Sequence, residues 1–123
     1  MEGVTLAKSK AFAVRIVNLY KYLCKNYNLY DIASQVLRCG TSIVANLSES
    51  EFAISRNDFK TKIYIALKEA GETKFWLELL HDTKYIDDKS FESIYKDCLE
   101  LIRLLISTTK TLAKNESNNS VQR

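Results

Sequence analysis

Proline is missing from this chain, and glycine occurs only as Gly3, Gly40 and Gly71 among 123 residues. Tight reversals draw heavily on those two residue types. The shortage therefore counts against sandwiches, barrels and any fold with many tight reversals, and helices joined by few loops remain. Cysteine is scarce as well. Cys24, Cys39 and Cys98 are 15 and 59 positions apart, form no C-x-x-C, and have no neighbours that suggest a zinc site. The roughly 18 consecutive apolar residues of a membrane span are nowhere found, and the first ten residues lack the apolar run of a signal peptide. Free thiols without an export signal point to a reducing cytoplasm.

What is present is ordinary globular material, 46% apolar and 27% charged, which argues against wholesale disorder. A chain of this length buries about two-thirds of its unfolded surface and can form a core without metal or disulfide staples. The net charge of +3 is too small to imply nucleic-acid binding by itself. Its distribution says more. Residues 1–47 carry six basic and two acidic groups, residues 48–102 eight and twelve, and residues 103–123 four and one. Between Glu2 and Asp31 there is no acid, while Lys8, Lys10, Arg15, Lys21 and Lys25 all fall there.

Apolar periodicity places four helices. Phe12, Ile16, Leu19, Leu23 and Tyr27 recur at spacings of three and four, one face of a helix over about Leu6–Asn26. The five basic side chains and Tyr22 lie on its other half, and Asn26-Tyr27-Asn28 is its exit. A second helix over about Asp31–Glu51 turns Ile32, Val36, Ile43 and Leu47 inward, with Asp31 as candidate N-cap. Ser55-Arg56-Asn57-Asp58 resembles a capping box with Asp in place of Glu, opening a third helix over about Arg56–Thr83. The fourth follows Asp87-Asp88, with Phe91, Ile94, Tyr95, Cys98, Ile102, Leu105, Ile106 and Leu112 as its stripe. Short connections make an all-α, antiparallel up-down-up-down four-helix bundle over residues 1–114 the natural architecture, with 115–123 a frayed, disordered polar tail.

Two helices carry more apolar surface than one core needs. Leu99, Leu101 and Leu104 lie off the stripe of helix 4; Ile65, Trp76 and Leu79 form a second line on helix 3. An untidy surface would explain this, and so would a subunit interface, which the occurrence on two helices favours. If helices 2 and 3 turn near Ile54, Gly40 falls within one turn of Gly71, as a close backbone approach would require. Arg38 then lies between Glu69 and Glu72. Glutamates among apolar side chains need a partner, and a guanidinium is the fitting one.

Catalytic patterns are absent. Glu78-Leu79-Leu80-His81 matches the Glu-x-x-His of di-iron bundles, but that arrangement needs the motif twice and His81 is the only histidine. No phosphate-cradling glycine loop or nucleophile elbow occurs, and the cysteines fit apolar helical positions. No enzyme activity and no cofactor are expected.

Gln35-Val36-Leu37-Arg38-Cys39-Gly40-Thr41-Ser42-Ile43-Val44-Ala45-Asn46-Leu47-Ser48-Glu49-Ser50 resembles the Q-hydrophobic-R-x-x-x-S-I-x-x-N-I-x-E-G segment of the bacterial "four helix bundle protein" family. That family takes in the proteins encoded within intervening sequences of 23S ribosomal RNA genes, and its relatives include the accessory variability determinant of diversity-generating retroelements. Asp58-Phe59 and the stretch from Ile65 to Leu77 fit its third helix. The resemblance covers about residues 10–113, and Arg38, Ser42, Asn46, Glu49, Glu69 and Glu72 match the family's polar positions. Ser50 departs from it, standing where the family has Gly. The trio of Arg38, Glu69 and Glu72 reads as a register-fixing ion pair, with a polar binding site as the alternative, and Asn46 and Glu49 join it as a structural polar network at matching family positions. The resemblance implies assembly into a cyclic homopentamer and, for the retroelement relatives, a basic surface, nucleic-acid binding and association with a reverse transcriptase; carried to this chain, it sets RNA ahead of DNA. It implies no reaction.

An up-down bundle sets helix 1 beside helix 4, so Lys8, Lys10 and Arg15 share an end with Lys110 and Lys114; with Lys21 and Lys25 these are the candidate nucleic-acid contacts. A solvated helical face is the plain alternative. A protein-interaction scaffold using the surplus apolar surface is the second functional reading.

Overall fold

The computed structural model describes the backbone of residues 3–122 and the side chains of residues 3–117. Four helices follow in chain order: α1 Gly3–Tyr27, α2 Tyr30–Ser50, α3 Arg56–Asp82 and α4 Asp88–Gln122. Successive helices pack together and α1 closes against α4, which is the up-down-up-down bundle. The described residues contain no strand.

Local chemistry sets the helix ends. Asn28 stops α1 in the left-handed region (φ 54°), its N–H donating to the Cys24 carbonyl at 3.1 Å, an αL cap of the kind asparagine tolerates. Ser55 caps α3 by accepting from Asp58 N–H, while the Asp58 carboxylate reaches back to Ile54 N–H at 3.1 Å. This is the expected capping box, shifted by one residue at its return bond. Asp87 accepts from Ser90 N–H at 2.7 Å and starts α4; that N–H holds the Asp87 carboxyl below its ordinary pKa. At the end of α3, Lys84 takes φ 67°, with Lys84 N–H donating to His81 O and Tyr85 N–H to Leu80 O, a Schellman turn with lysine where glycine is favoured.

Other expectations need correction. Asp31 is not the cap of α2: Leu29 occupies the N-cap without a side-chain bond, and Asp31 sits in the first turn. Ser50, which stands where the resemblance has glycine, is buried and donates its hydroxyl to the Leu47 carbonyl; the chain leaves α2 through Glu51 in right-handed conformation, so no glycine is required. Helix α4 does not end near Lys114. It continues to Gln122, and Glu116 is held by Lys60 of α3 at 2.9 Å; residues 108–122 contain neither proline nor glycine to stop it. Arg123 lies outside the described residues.

Phe12, Ile16, Ile43, Ile63, Leu77 and Leu105 are among the fully buried side chains of the core. Leu101 belongs to it too, buried rather than surplus, whereas Ile106 and Tyr27 lie partly outside it. The glycines do not meet. A Cβ on Gly40 would stand 2.8 Å from Ile16 Cγ1 and Cγ2, so its close neighbour is α1; Gly71 is exposed on α3, with nothing within 4 Å of such a Cβ.

Candidate nucleic-acid interface

Three of the four helix contacts, α2–α3, α3–α4 and α1–α4, carry charged links among the described residues, and those links decide which cations stay free. Between α2 and α3, Arg38 donates to Glu69 at 2.9 Å and to Glu72, and Trp76 Nε1 donates to Glu72 at 3.2 Å. The Arg38 contact, followed by the indole, holds the Glu72 carboxyl below its ordinary value. Glu69 is buried, so the guanidinium is what makes its burial tolerable. The other two members of the expected network stand apart. Asn46 donates to the Ser42 carbonyl of its own helix, and Glu49 pairs with Lys62 at 2.9 Å.

Between α1 and α4, Lys8 pairs with Glu100 at 3.1 Å and Arg15 with Asp97 at 2.7 Å; Arg15 also donates to the Ser93 carbonyl and hydroxyl. These two cations are therefore engaged in closing the bundle. Lys10, Lys21 and Lys25 are exposed and make no ion pair among the described residues, and the same holds for Lys110 and Lys114. Seven residues turn a helix to within about 20° of where it began, and α4 carries Lys89, Lys96, Arg103 and Lys110 at that spacing. All four are exposed, without an ion pair among the described residues, and lie opposite the Ile94–Leu101–Leu105 face that enters the core. The row was visible in the sequence as a repeat of seven. It was hidden by the acids beside it, of which Asp97 and Glu100 turn toward α1. Asp87, Asp88 and the exposed Glu92 crowd the first turns, so the positive stretch runs from Lys96 to Lys114.

The residues with catalytic resemblance have structural partners. Glu78 accepts from Tyr95 and Lys74, and these contacts, the phenol first, hold its carboxyl below the ordinary value. His81 meets Asp88 at 2.7 Å and stacks on Phe91. Among the described residues no group of three His, Cys, Asp or Glu side chains could hold a metal ion. Cys39 and Cys98 are buried, and burial pushes the Cys98 thiol up to about 12, far from a nucleophile. A cleft of about 660 Å³ at the turn end of the bundle is lined by Tyr22, Tyr27, Tyr85 and Asp87, with the tyrosine rings packed edge to face on one another. No described helix is long and apolar enough to cross a membrane.

The profile of the family described as 23S rRNA-intervening sequence protein matches residues 4–107. Among solved structures, the crystal structure of a protein with unknown function from the S23 ribosomal protein family of Bacteroides thetaiotaomicron VPI-5482 is 53% identical. The match covers 86% of this chain and 98% of that one, with a TM-score of 0.84. No curated protein matches the chain.

Proposed function

The chain belongs to the 23S rRNA-intervening sequence protein family, and from that premise we propose that it is a non-catalytic accessory protein that binds nucleic acid through its basic helical faces in the bacterial cytoplasm. The observation that carries this reading is the set of exposed cations on the outer sides of α1 and α4 that make no ion pair among the described residues, gathered by a fold that turns the neighbouring acids into interhelical partners. Phosphate contacts need no sequence-reading motif, only cations held in place. RNA stands ahead of DNA because the family's description refers to ribosomal RNA. The test is a titration of labelled RNA and DNA at low and high salt. Affinity falling steeply with salt is the expected result; no binding, or binding indifferent to salt, removes the proposal.

A second reading, docking of another protein or of further copies of the chain, has its own support. The outer face of α3 exposes Tyr64 and Phe75 on either side of Gly71, and the α2–α3 turn exposes Phe52 and Ile54, 83% and 93% accessible. Apolar groups on two separate faces suit the heterologous contacts of a ring. Five is the number that the family resemblance implies, and a reverse transcriptase is the partner that its retroelement branch would add. Light scattering is expected to give about five times the 14.1 kDa monomer mass; a monomer at micromolar concentration refutes self-association, and a different multimer refutes only the number.

A further inference from the structure

Resting on the nucleic-acid reading above, we propose that the outer ridge of α4 is a contact for double-helical nucleic acid, made to the phosphates alone and independent of base sequence. The ridge presents Lys96, Arg103, Lys110 and Lys114 along one side of a continuous helix. At 1.5 Å per residue, cations seven apart stand about 10 Å from one another and the four span about 27 Å. A row of cations on one continuous helix suits a stiff partner. A double helix meets it without being reshaped, whereas a single strand must first be straightened, at an entropic cost.

The composition of the ridge points the same way. Single strands are held by stacking their bases on aromatic side chains, and α4 has no aromatic residue after Tyr95. Phe91 and Tyr95 themselves are stacked on each other, and Phe91 on His81, at the acidic end of the helix. The exposed aromatics, Tyr22, Tyr27, Tyr30, Phe52, Tyr64 and Phe75, all lie on other helices or on the α2–α3 turn. Base edges are read largely by amides and by bidentate arginines. Between Lys96 and Lys114 there is no Asn or Gln and one arginine, and the hydroxyls of Thr108, Thr109 and Thr111 are spent on carbonyls of their own helix. What the ridge offers is positive charge in a row along one side of the helix. RNA and DNA duplexes share the chemistry that would answer it.

The experiment compares duplex RNA, duplex DNA and the corresponding single strands of one length, with the full chain and three variants. K96Q/R103Q/K110Q/K114Q is expected to lose at least about tenfold in duplex affinity and to make the salt dependence shallower by about 3 to 4, at roughly 0.9 per duplex phosphate contact. K10Q/K21Q/K25Q on α1 is expected to lose less. Glu92→Gln, removing an exposed acid beside Lys96, is expected to tighten binding about threefold. None of the substituted side chains takes part in a hydrogen bond or ion pair among the described residues, so thermal unfolding should be unchanged and loss of binding will not report loss of fold. Preference for single strands, or a loss that follows the α1 variant instead, overturns the assignment to α4 and duplex while leaving nucleic-acid binding intact. Absence of binding to all four probes overturns both. Comparable affinity for the two duplexes supports backbone recognition; a strong dependence on base sequence overturns it.

Discussion

Arg38 is the side chain whose loss the fold should feel most selectively, because it answers one buried and one half-buried carboxylate at once. Arg38→Ala leaves Glu69 without its partner and is expected to cost about 1–3 kcal/mol in a urea melt at neutral pH. The pH dependence has a definite sign. The Glu72 carboxyl lies below its ordinary 4.5 in the folded chain, so its contribution is present above that value and is lost as acidification protonates it. The gap between native and Arg38→Ala chains should therefore narrow below about pH 4, and a gap that widens in acid would contradict the assignment. Glycine supplies a contrasting pair. Gly40→Ala drives a methyl against the stiff, buried Ile16 and should destabilise by about 1–3 kcal/mol. Gly71→Ala meets nothing within 4 Å and should stabilise the isolated bundle by about 0.5–1 kcal/mol. If copies of the chain do meet over α3, the same Gly71→Ala change should weaken assembly while raising the melting temperature.

Among the elements, the Ser55 cap is the clearest case of local sequence dictating a boundary, and Ser55→Ala should cost about 1 kcal/mol in thermal unfolding through the lost bond to Asp58 N–H. That signal needs only four consecutive residues, which is why α3 begins at Arg56 as the sequence indicates. The apolar stripes were legible for the same reason: a period of three and four is a property of one helix alone. The features that sequence misplaced depend on how helices rotate against each other. Leu101 enters the core and Ile106 leaves it because α4 turns slightly from its simplest stripe. Gly40 answers Ile16 of α1 and not α3, a matter of which neighbour comes closer at that level. The Arg38 trio was legible because antiparallel register sets positions near 38 and 70 at one level, and these long charged side chains reach each other where two glycines at the same level do not. The basic surface was legible only in half. Lys10, Lys21 and Lys25 make no ion pair among the described residues, but whether Lys8 and Arg15 would be paired depended on acids more than 80 residues away, Glu100 and Asp97.

At the scale of the molecule, the order in which the helices meet carries a consequence for time. Three of the four helix contacts join elements adjacent along the chain, and only the seam between α1 and α4, tied by Lys8–Glu100 and Arg15–Asp97, joins distant ones. Hairpins of helices can therefore form on local encounters, and the one long-range closure comes at little extra cost, since the entropy of closing a loop grows only slowly with its length. No peptide bond precedes a proline, so nothing in the chain must wait for isomerisation, which takes tens of seconds or longer. Refolding of the monomer from urea should run to completion in well under about one second as a single exponential, unaffected by a prolyl isomerase. A slower phase should appear only where copies associate, and it should quicken with protein concentration.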